Sequence, residues 1–426
     1  MTDLAPFHIL IGCIFILGYL AIIFEYYIKV NKTAAALLTA AVTWALLFVS
    51  ENRNPAFDPN IIDHYLSQAS QIIFFLLGAM TLVELIDLHK GFKIITDNIQ
   101  TTSKRKMLWI VGMFTFFLSA VLDNLTSTIL MVSLLRKIID DKRDRAILGS
   151  AIVIAANAGG AWTPIGDVTT TMLWINQQIT TLSIMKSLFF PSLFSLIVAL
   201  ILLSLQLYGK YDKISSLAHH KPEPGAKTVL ICGLSALIFV PIFRSITGLP
   251  PFMGILIGLG ILWLITDLMH HKHEHRQFLR IPHVLTRIDT SGVLFFLGIL
   301  LCINTLEIVG ILKNLALWLN THINNQAVIA AIIGMLSAIV DNVPLVAACM
   351  GMYPLEIYPT DSPIWDMIAY AAGTGGSILI IGSAAGVALM GLEKIDFIWY
   401  FRKISLTALT SFLAGLAFYL LMMLVF

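Results

Sequence analysis

The chain has 426 residues, 58% of them hydrophobic and 12% charged, and its mean hydropathy is +0.86. This excludes an ordinary soluble protein and makes the lipid bilayer its first partner; no nucleic-acid partner is expected. The formal net charge of +2 says little, but the placement of that charge says a great deal.

In chain order, residues 7–28, 33–50 and 70–88 read as membrane spans. The first is too long for a signal-peptide core and no basic region precedes it, so it is expected to be retained. Residues 107–138 form an apolar run interrupted by Asp123-Asn124, and residues 146–180 read as a span broken by Gly159-Gly160 and Pro164. A span at 187–208 and a polar linker at 209–227 with Pro222, Pro224 and Gly225 follow. Then come spans at 228–243, 250–269 and 290–311. An apolar run at 327–353 is interrupted by Asp341-Asn342, a broken span covers 364–392, and a last span covers 404–426. Cys13, Cys232, Cys302 and Cys349 all lie in apolar segments without metal-like spacing, as small hydrophobes do.

Lys and Arg sort cleanly when the amino terminus is placed outside. Of the 27 basic residues, only Arg53, Lys186, Arg244 and Lys313 then fall outside, which is the positive-inside pattern. The sorting holds if 107–138 enters and leaves on the inside and 327–353 on the outside. Each is then a re-entrant hairpin with halves of about 15 residues, too short to span. The expected fold is all-α and polytopic: about ten transmembrane helices plus two opposed re-entrant hairpins, with both termini outside.

The interruptions repeat. Ser119-Ala-Val-Leu-Asp123-Asn124 recurs as Ser337-Ala-Ile-Val-Asp341-Asn342, and Gly159, Gly160, Ile165 and Gly166 recur as Gly375, Gly376, Ile381 and Gly382. The expected domains are two inverted-topology repeats, 1–208 and 228–426, joined by the inside linker 209–227. Each holds one hairpin (107–138; 327–353) and one broken helix (146–180; 364–392).

An ionisable residue in an apolar run costs at least about 2.5 kcal/mol on insertion scales, which makes it a functional-site candidate. Unwound backbone at membrane depth is tolerated where it lines a cavity, and its carbonyls can hold cations. Each hairpin tip is expected against the break of its own half. The first site gathers Asp123, Asn124, Asn157, Asp167, Thr169 and Thr170. The second gathers Asp341, Asn342, Thr374 and Ser377. These are hard oxygen donors suited to a small hard cation. No Lys or Arg lies in either tip or either break, whereas an anion site wants such residues or free helix amino ends. A buried carboxylate can hold a proton or a cation, so Asp123 and Asp341 are the expected exchanging groups, with Asp167 in support. Glu84 and Glu307, deep in apolar runs, are weaker supporting candidates. Asp289 reads as a helix cap, and the run His270–Arg276 as a solvated basic loop.

The doubled S-A-x-x-D-N element, with N-A-G-G-x-x-T-P-I-G-D-V-T-T after its first copy, resembles the NhaD-type sodium/proton antiporters of the ion transporter superfamily, relatives of arsenite permeases and divalent-anion/sodium symporters. The resemblance covers nearly the whole chain. It implies a bacterial inner-membrane secondary transporter exchanging Na⁺ or Li⁺ for H⁺, with no cofactor. It also implies a homodimer with an elevator-like transport domain. The family's polar positions map onto Ser119, Asp123, Asn124, Asn157, Asp167, Thr169, Thr170, Ser337, Asp341, Asn342, Thr374 and Ser377, with Asp123, Asn157 and Asp341 as Na⁺ ligands. Gly373 stands where Asn157 would be and Ser383 where Asp167 would be, so the halves are not expected to be equivalent. The nearest alternative is a carrier of arsenite or an organic anion in the same superfamily. An intramembrane aspartyl protease is disfavoured because both Asp are followed by Asn outside a G-x-G-D context, and no H-E-x-x-H motif occurs.

Overall fold

The structure is a computed structural model that describes residues 6–23, 25–51, 60–92, 101–211, 223–271, 274–323 and 325–425. Parts of two expected features, the linker 209–227 and the loop 270–276, lie outside the described residues. Among the described residues the regular structure is helical, and nine helices are long and apolar enough to cross a membrane.

The first half contains α1 (Pro6–Ile23), the short α2 (Glu25–Ile28), α3 (Lys32–Glu51), α4 (Ile61–Leu88), α5 (Lys104–Leu122), α6 (Asn124–Ile138), α7 (Lys142–Gly160), α8 (Val168–Ile175) and α9 (Thr181–Ser204). The second half contains α10 (Ala226–Thr247), α11 (Pro251–His270), α12 (Ile281–Val284), α13 (Thr290–Ile308), α14 (Ile311–Ile323), α15 (Gln326–Ser337), α16 (Asn342–Met352), α17 (Pro363–Gly375), α18 (Ala384–Glu393), α19 (Phe397–Lys403) and α20 (Ser405–Val425).

Eight of the nine span-length helices match expected spans. The ninth is α5, a 19-residue helix. The first arm of 107–138 is therefore longer than the half-span expected, whereas its counterpart α15 has 12 residues. Helix α4 also begins at Ile61, nine residues before the expected start.

The span-length α1, α3, α4, α10, α11 and α13 pack mainly on one another. Helix α7 packs against α5, α6, α9 and α18, and α17 packs against α15, α16 and α20. These two helices also meet each other, so both lie at the centre. From Ile147 to Gly160, every residue of α7 is buried. Pro363 starts α17 where its missing N–H costs nothing. Asp141 starts α7 by accepting from Asp144 N at 2.8 Å.

The loops close on themselves. Arg145 Nε reaches Glu393 Oε2 at 2.9 Å, and Lys90 Nζ reaches Glu223 Oε1 at 2.7 Å. Thr180 Oγ1 donates to Asp361 Oδ2 at 2.8 Å.

Candidate functional site

Four helices begin inside the apolar interior, and each begins on a polar cap. Asp123 caps α6, Asp167 caps α8, Asp341 caps α16 and Ser383 caps α18. In lipid no water serves the orphan N–H groups of a helix start, so a side-chain acceptor has to. Asp167 Oδ1 accepts from Thr169 N at 3.0 Å. Ser383 Oγ accepts from Gly386 N at 3.2 Å. Their backbones agree closely, with φ/ψ of −145°/149° and −143°/155°.

The two tips do not agree. Asp341 has an ordinary backbone, φ −53° and ψ 138°. Asp123 has φ 85° and ψ 160°, a region that glycine alone enters readily and that costs of order 1–3 kcal/mol for other residues. Its carboxylate is fully engaged with the start of α6: Oδ1 accepts from Thr126 N and Oδ2 from Thr126 Oγ1, both at 2.8 Å.

The glycines let backbones touch where these caps meet. A Cβ on Gly159 would lie 2.2 Å from Phe116 O, and one on Gly375 would lie 2.2 Å from Gly334 O. Ser119 Oγ donates to Ala156 O and Ser337 Oγ to Ala372 O, each at 2.7 Å.

One hydrogen-bond chain runs through the centre. Asn124 Nδ2 donates to Asp167 Oδ2 at 2.8 Å and to Asn157 Oδ1 at 3.0 Å. Asn157 Nδ2 then donates to Ser377 Oγ at 2.9 Å and Ser383 Oγ at 3.0 Å. Asn124 of the first tip meets Asp167 of the first break, and Asn342 Oδ1 of the second tip lies against Gly376 of the second break. Asn157 also joins the first break to the second, and so links Ser377 of the second expected cluster to the first; Asp123 and Asp341 lie outside this chain of bonds, bonded to Thr126 and Lys32. Gly373 sits at this crossing, where a Cβ would lie 3.3 Å from Ala161 Cβ and 3.8 Å from Asn157 O.

Not every expected residue joins the network. The hydroxyl of Thr374 turns back to Tyr370 O on its own helix, and that of Thr170 donates to Asp167 O at 2.9 Å. Thr169 is buried beside the Asp167 carboxylate. Glu84 stands apart from the site: it pairs with Arg287 Nε at 3.1 Å and is partly exposed. Its position in an apolar run hid that partner. Glu307 faces a separate cavity of about 50 Å³ with Tyr65, Gln68, Asn176 and Asn304. Asp289 caps α13 as expected, accepting from Gly292 N at 2.9 Å.

Three residues stand out only in the structure. Ser383 is a direct partner of Asn157; its alignment with Asp167 was the available signal. Asp366 is buried in α17, with Tyr419 Oη 3.2 Å from its Oδ2. Lys32 Nζ lies 3.4 Å from Asp341 Oδ2. No basic residue is near Asp341 in sequence, but one is near it in space.

The sequence model of the citrate transporter family matches residues 19–373. Sodium/proton antiporter 1 of Arabidopsis thaliana is 54% identical over 412 residues, covering 96% of this chain and 71% of that protein. Sodium/proton antiporter 2 of the same plant is 52% identical, covering 96% and 98%. The Na⁺/H⁺ antiporter NhaD of Vibrio cholerae is 29% identical over 407 residues, covering 89% and 84%. The chain belongs to the NhaD-type sodium/proton antiporters. These antiporters are carriers, and the chain is a multi-pass membrane transporter rather than an enzyme.

Proposed function

We propose that this chain exchanges Na⁺ or Li⁺ for H⁺ by competition of the two for carboxylates at helix starts, with Asp123 and Asp341 as the exchanging groups and the buried Asp167 in support. The observation that carries the reading is the chain of bonds from Asp167 through Asn124 and Asn157 to Ser377 and Ser383. It gathers hard oxygens from both halves around the starts of three helices, α6, α8 and α18. Each of those starts would attract an anion if free, but its own carboxylate or hydroxyl occupies it. This speaks for a cation, and against citrate or another organic anion as cargo.

The matched contacts of Ser119 with Ser337, and of Gly159 with Gly375, support two structural repeats of inverted topology, 1–208 and 228–426. Ion pairs that join loops assigned to the same side, Lys90 with Glu223 and Arg145 with Glu393, support placing the members of each pair on one side, as the proposed topology with inside loops and outside termini requires. In this reading, residues 107–138 and 327–353 are opposed re-entrant hairpins. The central helices move against the α1–α3–α4–α10–α11–α13 layer as an elevator within a homodimer. The setting is a membrane that carries a proton gradient: a bacterial inner membrane, or its counterpart in a plant cell.

The test is Na⁺-driven pH change in inside-out vesicles bearing the parent chain, Asp123→Asn or Asp341→Asn. Each variant is expected to lose exchange. Undiminished exchange in both would remove the proposed mechanism.

A further inference from the structure

We infer that the Lys32 ammonium is a tethered competitor at the second tip: a cargo cation reaches the Asp341 carboxylate only by displacing it. The inference rests on the reading of Asp341 as an exchanging group. Lys32 is the first residue of α3, and Asp341 caps α16, 309 positions further along the chain. Their charged atoms are 3.4 Å apart. The same ammonium lies 4.4 Å from the centroid of the Phe295 ring, whose face attracts a cation and replaces part of its water.

The pair is built to open. Its side chains are 35% and 23% exposed, so separating them does not strand a charge in a dry core. A second carboxylate is at hand: Glu25 Oε1 already accepts the main-chain N–H of Lys32 at 3.1 Å. Among the described residues the first tip has no equivalent. Asp123 is satisfied by Thr126 on its own helix, so a cation arriving there meets no resident positive charge. Lys32 therefore makes the two tips unequal, and it screens the second against weakly attracted ions. A cation at Asp341 with the ammonium still in place would face like-charge repulsion at contact distance.

The test is binding of radiolabelled Na⁺ to the purified full-length chain at fixed pH, with choline holding ionic strength constant. Lys32→Gln is expected to lower the Kd for Na⁺ about two- to fivefold, the range of a partly exposed ion pair. Lys32→Arg, which keeps the charge, is expected to give no such gain. Adding Asp341→Asn to Lys32→Gln is expected to abolish it. Unchanged or weaker Na⁺ binding by folded Lys32→Gln overturns the inference. On the parent chain, saturating Na⁺ is expected to raise acylation of Lys32 by an amine-reactive reagent, read by mass spectrometry against choline. Unaltered labelling overturns the inference even if Lys32→Gln fails to fold. Asp341→Asn alone separates the two readings. Parental exchange by that variant removes Asp341 from the mechanism, whereas lost exchange with no affinity gain in Lys32→Gln removes only the competitor.

Discussion

Asn157 donates to Ser377 Oγ at 2.9 Å across 220 positions of sequence, and so ties the broken helix of the first half to that of the second. Its other amide hydrogen goes to Ser383 Oγ, and its carbonyl oxygen receives Asn124. A single side chain thus holds both breaks and the first tip. Asparagine suits the position because it offers two donors and an acceptor without adding charge.

Asn157→Ala should therefore be costly to the fold as well as to transport. It leaves two buried serine hydroxyls and one amide hydrogen of Asn124 short of a partner, and opens a cavity between α7 and α17. We expect a loss of at least about 2 kcal/mol, read as a lower unfolding temperature in detergent, together with loss of exchange in vesicles. Parental stability would mean that the breaks are held by packing alone.

Asp123 carries backbone strain that its carboxylate justifies only if the carboxylate has work to do. Asp123→Gly removes the strain of about 1–3 kcal/mol and costs only a few tenths of a kcal/mol as a cap. The variant is expected to be at least as stable as the parent while losing exchange. Asp123→Asn keeps the strained backbone and should gain no stability. A clear fall in unfolding temperature for Asp123→Gly would place the residue in the fold rather than in the chemistry.

Glu393 has only 5% side-chain exposure and is held by Arg145 at 2.9 Å and, more loosely, by Arg136 at 3.7 Å. The pair couples α7 to the end of α18. Arg145→Met leaves the carboxylate largely uncompensated and should cost about 3–5 kcal/mol, whereas Arg145→Met with Glu393→Gln should recover most of it. A double-mutant cycle on unfolding midpoints measures this. Additive losses would mean that the two residues act independently.

His89 gives a pH dependence outside the spans. It is fully buried just past α4; its Nδ1 faces Leu85 O at 2.8 Å and its Nε2 faces His270 Nε2 at 3.1 Å. Burial pushes its pKa down, against smaller opposing effects of the Leu85 carbonyl and Glu223. The unfolded chain takes up a proton near pH 6.5 and the folded chain does not. The stability from this residue is therefore present above about pH 6.5 and is lost as pH falls below it. Unfolding temperatures measured from pH 7.5 to pH 5 should fall more steeply for the parent than for His89→Gln. Equal slopes would assign the pH dependence elsewhere.

Much of this arrangement was legible in the sequence because lipid leaves few options. Apolar runs of sufficient length become spans, and doubled Asp-Asn and Gly-Gly elements mark the places where backbone leaves the helix. Asn124, Asn157 and Asp167 meet as expected, because a polar group in an apolar run must find another. What was not legible depended on which helix lies beside which. Lys32 counted as a loop charge in the topology, and only the packing of α3 on α13 brings it to Asp341. Glu84 looked buried because its partner Arg287 lies 203 positions away. Thr374 satisfied itself on Tyr370 O, an option open to any helical threonine. The length of α5 also escaped, because hydropathy does not say where a helix ends.

Coupling of a small cation to protons is measured with purified protein in proteoliposomes, with an imposed pH gradient and the membrane potential clamped. Na⁺ or Li⁺ is expected to dissipate the gradient, Asp123→Asn to abolish this, and citrate neither to dissipate the gradient nor to accumulate. Citrate uptake, or Na⁺ flux that leaves the pH gradient intact, would contradict the proposed exchange.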